Sequence, residues 1–294
     1  MKLRIGTRDS KLAVVQTELF VQALGRVRPE IETEIVAMKT TGDKILDRTL
    51  DQVGGKGLFV KELDQALLEG HVDLTVHCVK DLPAELNPQL PLIAFSPRED
   101  PRDALVLAPG MEEADLSLPV GSASPRRRIQ LEKLFPGCRV EPARGNVLTR
   151  LQKLDSGQYG ALVLAVAGLR RLGLENRVSR VFAPEEMLPA AGQGILAVQA
   201  RADFDPSILS PLNNNEAELC ALAERAFLQT LDGGCSSPVA AYARVQQGQI
   251  VLRGLYWDEQ GWEIQQTQGP AEQGPQLARR LALAMKERRA LGDR

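Results

Sequence analysis

Strand-like and helix-like patterns alternate over the first eighty residues, and this alternation constrains the fold more than any other feature of the sequence. Residues 3–6 and 31–38 have the apolar character of strands, whereas residues 11–24 and 58–69 repeat apolar side chains at the spacing of an amphipathic helix. Alternation of this kind is typical of an α/β fold in which helices flank a mixed sheet. We expect Gly25 to end the first helix.

The next strand pattern, over residues 72–76, is followed by an adjacent pair of opposite charges. Lys80 and Asp81 come just before Leu82-Pro83, which stops any regular element. Open α/β sheets place their ligands at the carboxyl ends of their strands, so this pair occupies a position suited to binding. A lone Lys-Asp pair is also typical of a solvated turn. Taken alone, the pair leaves both interpretations open.

The composition describes an ordinary globular protein that is rich in arginine. At 294 residues, with 44% hydrophobic and 25% charged residues, the chain is long enough for two or three domains with their own cores. Of its 36 basic residues, 26 are arginine, the side chain best suited to gripping planar carboxylates. The net charge of −2 and the 4% aromatic content argue against a nucleic-acid partner.

No stretch of the sequence has the apolar length of a membrane span, and we expect no membrane partner. The N-terminus enters a strand pattern directly, without the apolar core of a signal peptide, so we expect a cytoplasmic protein. The four cysteines lack Cys-x-x-Cys spacing, which indicates reduced thiols, and with two histidines in the chain we expect no metal site.

Several strand patterns are followed by arginine or serine at the position where a helix begins. Arg8 and Ser10 follow the first strand, where backbone amides attract anions, although Asp9 or Ser10 as a simple helix cap explains them equally well. Ser122 ends another strand, and Ser124-Pro125 has the pattern of a helix start.

Three arginines, at 126–128, then occupy the first turn of that helix, where the helix dipole prefers anions. Either a bound anion or three tolerated surface arginines would account for them. Arg144 and Gly145 follow the strand at 138–141, with Arg150 in the next helix, and Arg171 follows the central strand at 161–166. Clustering at corresponding strand ends favours an arginine-rich cleft.

The chain is predicted to cross twice between its first two units, once at residues 97–103 and once where the strand at 195–200 returns to the first sheet. Two crossings form a hinge across a cleft. The predicted domains are residues 1–96 with 195–212, residues 102–190, and a smaller α+β unit at 213–294.

Two glycine-rich segments carry reactive or cationic side chains. Cys235 follows Gly233-Gly234 on a predicted flexible loop, where a nucleophile and a small buried hydrophobe are both open interpretations. The segment at 54–57 resembles part of a phosphate loop, but its spacing is wrong and Leu58 replaces the hydroxyl that would bind magnesium. We reject a nucleotide site and retain Lys56 as a cation on a mobile segment.

Five motifs in this order resemble the porphobilinogen deaminases, also called hydroxymethylbilane synthases, and the resemblance runs from residue 3 to about residue 243. The motifs are Gly54-Gly55-Lys56-Gly57-Leu58-Phe59-Val60-Lys61-Glu62, Val76-His77-Cys78-Val79-Lys80-Asp81, Arg144-Gly145-Asn146 with Arg150, residues 189–194, and Glu224-Arg225 leading to Gly233-Gly234-Cys235. The family's fold is two domains like a periplasmic binding protein plus a third, smaller domain.

The resemblance implies a monomeric enzyme, a transferase, that joins four porphobilinogen molecules with loss of ammonia to give linear hydroxymethylbilane in tetrapyrrole biosynthesis. A dipyrromethane cofactor, bound to Cys235 as a thioether, primes the chain. Asp81 is implied as the catalytic carboxylate. The residues implied in cofactor binding are Lys80, Asp81, Ser122, Ser124, Arg126, Arg127, Arg144 and Gly145, and those implied in substrate binding are Arg8, Ser10, Arg144, Arg150 and Arg171.

Two alternatives share the predicted fold. One is a hinge-closing protein that binds small anions without chemistry, which would require neither Asp81 nor Cys235. The other is a paralogue that has lost the cofactor, and the departures from the family pattern at Cys78, Ala123 and Pro125 keep it open.

Overall fold

The computed structural model describes residues 1–44, 60–233 and 237–291 of the chain. In chain order, the strands are β1 (Lys2–Arg8), β2 (Glu32–Met38), β3 (Leu74–Cys78), β4 (Leu92–Phe95), β5 (Asp103–Val106), β6 (Val120–Gly121), β7 (Val140–Glu141), β8 (Ala161–Ala165), β9 (Arg180–Val181), β10 (Leu196–Ala200), β11 (Ala240–Gln246), β12 (Gln249–Asp258) and β13 (Gly261–Pro270). The α-helices are α1 (Lys11–Val27), α2 (Thr41–Lys44), α3 (Lys61–Leu68), α4 (Pro125–Leu134), α5 (Val147–Asp155), α6 (Val166–Arg171), α7 (Asn215–Thr230) and α8 (Gly274–Leu291).

The first sheet has the strand order β2-β1-β3-β10-β4. β1 runs parallel to β2 and β3, whereas β10 runs antiparallel to β3 and β4. Alternate residues of the inner strands, among them Ile5, Leu74 and Val198, form one apolar core with Phe20 and Leu24 of α1. The sheet is therefore mixed and helix-flanked, as the alternating sequence pattern predicts.

The second sheet has the strand order β7-β6-β8-β5-β9 and is also mixed. Along its central strand, Leu162 and Leu164 belong to one core cluster, whereas Ala161 and Val163 belong to another. Because strand side chains alternate between faces, these two clusters lie on opposite sides of the sheet. Burial on both faces explains why this strand is so uniformly apolar in sequence.

The chain passes from the first sheet to the second after β4 and returns to the first sheet at β10. The predicted return strand at 195–200 is confirmed by the pairing of β10 with β3 and β4. The three domain ranges themselves stay a prediction.

The C-terminal unit is a three-stranded antiparallel sheet, β11-β12-β13, covered by α7 and α8. Phe227 of α7 lies directly over Gly254 of β12, where an added Cβ would lie 2.3 Å from the ring. The predicted fold class, two mixed α/β units and a smaller α+β unit, is confirmed. Within the described ranges, no helix combines the length and apolar composition needed to cross a membrane.

A buried ion pair fastens the C-terminal unit to both crossings. Glu224 of α7 is fully buried and accepts hydrogen bonds from Arg98 Nη1 at 2.6 Å, the Gly192 amide at 2.6 Å and the Ala243 amide at 2.7 Å. Arg98 lies on the first crossing, between β4 and β5. Gly192 lies on the second crossing, which is the segment between β9 and β10, and Ala243 belongs to β11. One carboxylate therefore joins three separate parts of the chain.

One predicted helix boundary is wrong, and two short elements are missing from the prediction. Gly25 does not end the first helix, because α1 continues to Val27 and the Arg28 amide donates to Leu24 O. A glycine costs helix stability without breaking the hydrogen-bond ladder, and no side chain is needed at this position for packing. The sequence pattern also misses the two-residue strand β9 and the short helix α6.

We predict that Arg98→Met lowers the free energy of unfolding by about 3–5 kcal/mol, because it leaves the Glu224 carboxylate buried without its cation. Chemical denaturation monitored by circular dichroism measures the change. Arg253→Met is the matched control, since it removes an ion pair to the exposed Glu185 and should cost less than about 1 kcal/mol. Equal losses in both variants would contradict a structural role for the buried pair.

Candidate functional site

Lys80 and Asp81 lie in a single turn at the carboxyl end of β3, in the middle of the first sheet. β3 is buried along its whole length, and a 3₁₀ turn, Val79–Asp81, follows it at once. The Leu82 amide closes this turn on Val79 O at 3.2 Å, and the Val79 amide donates to Ile195 O at 3.0 Å. Both charged side chains are partly exposed there, as expected for ligand-binding groups at a strand end.

The second crossing packs directly against this turn. Gly192 has a φ of +72°, and a Cβ on it would lie 2.2 Å from Val79 Cγ1 and 3.1 Å from the Lys80 amide nitrogen. Only glycine combines this left-handed backbone with such a close approach. The family motif at residues 189–194 is therefore where the chain comes close to the turn that carries Asp81.

Gln193, between two glycines of that crossing, connects the two sheets. It is 1% exposed, and its Nε2 donates to Asp103 Oδ1 at 2.9 Å and to Pro101 O at 2.6 Å. Its Oε1 accepts from Lys80 Nζ at 3.5 Å. Sequence reasoning missed Gln193, although a polar side chain between two glycines is a signal that could have found it.

Asp103, the first residue of β5, holds the two arginines at the start of α4. Arg126 Nη1 donates to its Oδ2 at 2.7 Å, and Arg127 Nη2 donates to its Oδ1 at 2.7 Å. Burial alone would raise the pKa of Asp103, but these two guanidinium groups hold it well below its ordinary value. The predicted misplaced arginines therefore face a carboxylate of their own chain, and one carboxylate leaves one positive charge in excess.

The two predicted serines shape the start of the same helix. Ser124 caps α4 by accepting from the Arg127 amide, with Pro125 as first helical residue, as the sequence predicts. Ser122 Oγ accepts from the Ser124 amide at 3.3 Å. Each hydroxyl thus uses its oxygen locally and retains its own O–H as a donor.

Arg144, Gly145 and Arg150 surround the start of α5, where Asn146 caps the helix. Gly145 has a φ of +105°, and its carbonyl accepts from Arg150 Nε at 2.8 Å. Burial, together with repulsion from Arg127 and Arg144, lowers the pKa of Arg150 to about 10, and attraction to Asp81 opposes these effects. The Asp81 carboxylate of the first sheet therefore lies within electrostatic reach of the arginine cluster on the second.

The remaining predicted cations lie at the edges of this group. Arg171, in the last turn of α6, donates from Nη2 to Gly194 O at 2.6 Å, on the second crossing. Arg8 ends β1 and lies close enough to His77 to lower the pKa of that imidazole. Ser10 accepts from the Ala13 amide at 3.4 Å and caps α1, so the simple-cap interpretation describes its observed contact.

The described site residues carry a large excess of positive charge. The cations are Arg8, Lys80, Arg126, Arg127, Arg144, Arg150 and Arg171, and the carboxylates are Asp81 and Asp103. Seven cations and two carboxylates give this group of described residues a formal charge of +5. A ligand with several carboxylates is the chemical complement of such a surface.

Three further residues of the family motifs are Lys56, Cys235 and Cys78. Lys56 and Cys235 lie outside the described residues. Cys78, at the end of β3, is buried, and burial followed by the charge of Asp81 raises its pKa. A protonated, buried thiol is a poor nucleophile, so Cys78 is unreactive compared with an exposed thiolate.

Comparison with known proteins gives consistent results. Residues 3–208 match the family model described as porphobilinogen deaminase, dipyromethane cofactor binding domain, and residues 218–287 match its C-terminal domain. A porphobilinogen deaminase of Acetivibrio thermocellus is 55% identical over 286 residues, covering 97% of this chain and 98% of that protein. The enzyme of that name from Alkaliphilus oremlandii is 54% identical and covers 97% of each chain.

Among solved structures, a periplasmic binding protein of Salmonella typhimurium aligns with a TM-score of 0.39 and 13% identity over 70% of this chain and 88% of its own. Likeness at this level says nothing about what the chain binds.

We predict that His77, the buried imidazole near the turn that carries Asp81, makes the fold sensitive to acid. Burial, with the nearby Arg8 charge, lowers its pKa to about 4 from an ordinary value of 6.5. Between these values the unfolded chain binds a proton that the folded chain excludes, so stability falls as the pH falls from about 6.5 to 4. His77→Gln retains a polar partner for Thr75 Oγ1 and does not titrate.

Urea denaturation at pH 7 and pH 4.5 tests this, and the wild-type protein should lose about 2 kcal/mol more than His77→Gln between the two values. Asp64, whose pKa burial raises to about 6, acts in the opposite direction but equally in both proteins. Identical pH dependence in the two proteins would refute the buried neutral imidazole.

Proposed function

The chain belongs to the porphobilinogen deaminase family, and from that premise we propose that it joins four porphobilinogen molecules head to tail, with loss of ammonia, into linear hydroxymethylbilane. The observation that carries the proposal is the position of Asp81, a carboxylate on the first sheet within electrostatic reach of Arg150 and its arginine neighbours on the second. An anion-binding protein would need the arginines but would gain nothing from a carboxylate among them.

The excess of guanidinium groups suits the substrate. Each porphobilinogen carries an acetate and a propionate, so a growing oligopyrrole accumulates negative charge. Arg150 is partly buried and repelled by Arg127 and Arg144, which holds its pKa near 10, and an incoming carboxylate would relieve that repulsion. We propose that Arg8, Ser10, Arg144, Arg150 and Arg171 bind substrate carboxylates.

A second, partly overlapping set of residues fits the family's dipyrromethane cofactor. Asp103 holds Arg126 and Arg127 side by side, and one positive charge is left for an external carboxylate. Those two arginines, with Lys80, Ser122, Ser124, Arg144 and Gly145, would hold the group, and Cys235 would carry it as a thioether. When bound, the group supplies the end onto which substrate units are added.

Asp81 has the chemical role. Loss of ammonia from the aminomethyl group of porphobilinogen leaves an azafulvenium-like cation on the substrate, and a carboxylate fixed beside the pyrrole nitrogen stabilises that cation as it forms. The same carboxylate accepts the pyrrole N–H. Asp81 is fixed before the substrate arrives, because the 3₁₀ turn, β3 and the second crossing hold its main chain.

The transferase class, a monomeric state and a cytoplasmic location complete the proposal, and all three are supported by the family resemblance.

We expect the intact mass of the purified protein to exceed the mass of the bare chain by two pyrrole units. Cys235→Ser should remove the excess and leave a folded protein, because the thioether sulfur is lost. A protein with the mass of the bare chain, still unmodified after incubation with porphobilinogen, would contradict the proposal and favour a cofactor-less anion-binding protein.

We predict that Asp81→Ala lowers kcat for porphobilinogen consumption by about 10³-fold or more, with secondary structure unchanged, because the developing cation loses its fixed carboxylate. Asp203→Ala, which removes an exposed carboxylate far along the chain, is the control and should leave kcat within about twofold. An Asp81→Ala enzyme with most of its activity would show that this carboxylate is not catalytic.

A further inference from the structure

Arg225, on the buried face of α7, binds the main chain immediately after the Val79–Asp81 turn. It is 6% exposed, and its Nη2 donates to Pro83 O and to Ala84 O, both at 2.9 Å. Gln229, four residues later on the same helix face, donates from Nε2 to Ala84 O at 2.7 Å. Two side chains of α7 therefore bind the segment that begins two residues after Asp81.

The position of Asp81 is thus fixed from both sides. Before it, the Val79 amide is hydrogen-bonded to Ile195 O, and after it Leu82 is buried and closes the turn. Beyond Leu82, Pro83 limits the backbone, and the carbonyls held by Arg225 are the next fixed points. Movement of residues 83 and 84 away from α7 would therefore be passed to the Asp81 main chain through a single residue.

Burying the Arg225 guanidinium at this position costs hydration free energy. Among the described residues Arg225 forms no ion pair, and burial lowers its pKa to about 10. A buried guanidinium whose partners within the described ranges are carbonyl oxygens is a poor way to gain stability, because an apolar side chain would fill the space without the loss of hydration. Its geometry is useful instead, since one rigid planar nitrogen reaches two successive carbonyls.

We propose that Arg225 is a positioning residue that fixes the Asp81 carboxylate relative to α7, the helix that ends five residues before Cys235 in the sequence. This inference rests on the proposed function, in which Asp81 must face a group attached at Cys235. The contacts of Arg225 are to main-chain oxygens and not to the reacting groups, so its effect is exerted through the turn.

The test uses the full-length holoenzyme, its primer load checked by intact mass, as wild type, Arg225→Met and Arg225→Lys. We expect Arg225→Met to lower kcat by about 100-fold, the loss caused by a displacement of about 1 Å, while KM changes less than about threefold. Arg225→Lys should return kcat to within about fivefold of wild type, because an ammonium group can also donate to both carbonyls.

A second readout does not depend on activity. Hydrogen exchange of the Leu82 amide, which closes the turn, should be about tenfold faster in Arg225→Met than in wild type. Met285→Ala is the control, because it removes a fully buried side chain from the core of the same C-terminal unit and touches no residue of the turn. It should lower thermal stability while leaving kcat and Leu82 exchange unchanged.

Unchanged Leu82 exchange in Arg225→Met, or an equal kcat loss in Met285→Ala at equal loss of stability, would overturn the inference. If Arg225→Met does not fold, Gln229→Leu provides the same exchange measurement on the neighbouring contact. A wild-type protein that does not consume porphobilinogen would refute the proposed function, and Leu82 exchange would still decide whether Arg225 holds the turn.

Discussion

The interaction on which the site depends is the sharing of one buried carboxylate, that of Asp103, by three side chains. Arg126 and Arg127 donate to it from α4, and Gln193 donates to it from the second crossing. A buried charge is tolerated when it is paired and hydrogen-bonded, and each of these donors in turn is fixed by the carboxylate. The arginines are therefore held in place before any external anion arrives.

A second buried carboxylate, that of Glu224, connects the C-terminal unit to both crossings. It binds Arg98 on the first crossing and the Gly192 amide on the second, and Gly192 directly precedes Gln193. Asp103 of the second unit and Glu224 of the C-terminal unit thus bind two consecutive residues of the second crossing, Gln193 and Gly192. Buried charge pairs contribute little to net stability compared with apolar packing, but they specify one geometry, and here that geometry is the relation between the units.

Much of the fold could be predicted because its signals are local. Period-two and helical patterns gave the order of elements, Ser124-Pro125 marked a helix start, and the position of Asp81 after a buried strand marked a strand-end site. Asp103, Gln193 and Glu224 could not be found in this way. Asp103 stood at the end of a charged run interpreted as a crossover, and what distinguishes it from its exposed neighbours is a set of contacts with residues far away in the sequence.

The same limit applies to the predicted site residues: their identities are local signals, but their contacts are not. The sequence and the family resemblance predict which arginines form the site, but not that Arg126 and Arg127 share an internal carboxylate or that Arg150 is partly buried among like charges. Nor did they indicate that Arg225, which belongs to one of the family motifs, contacts the chain after Asp81. Partner choice between charged side chains depends on tertiary packing, which periodicity does not encode.

The place of β10 in the first sheet has a consequence for synthesis. β10 lies between β3 and β4, yet it follows the whole second sheet along the chain. While the ribosome is still making residues before 196, β3 and β4 present unpaired edges to one another, and the Val79 amide lacks its Ile195 acceptor. The second sheet, drawn from a continuous stretch, can close first. The turn that bears Asp81 is thus completed late, by the part of the chain that also brings Gln193.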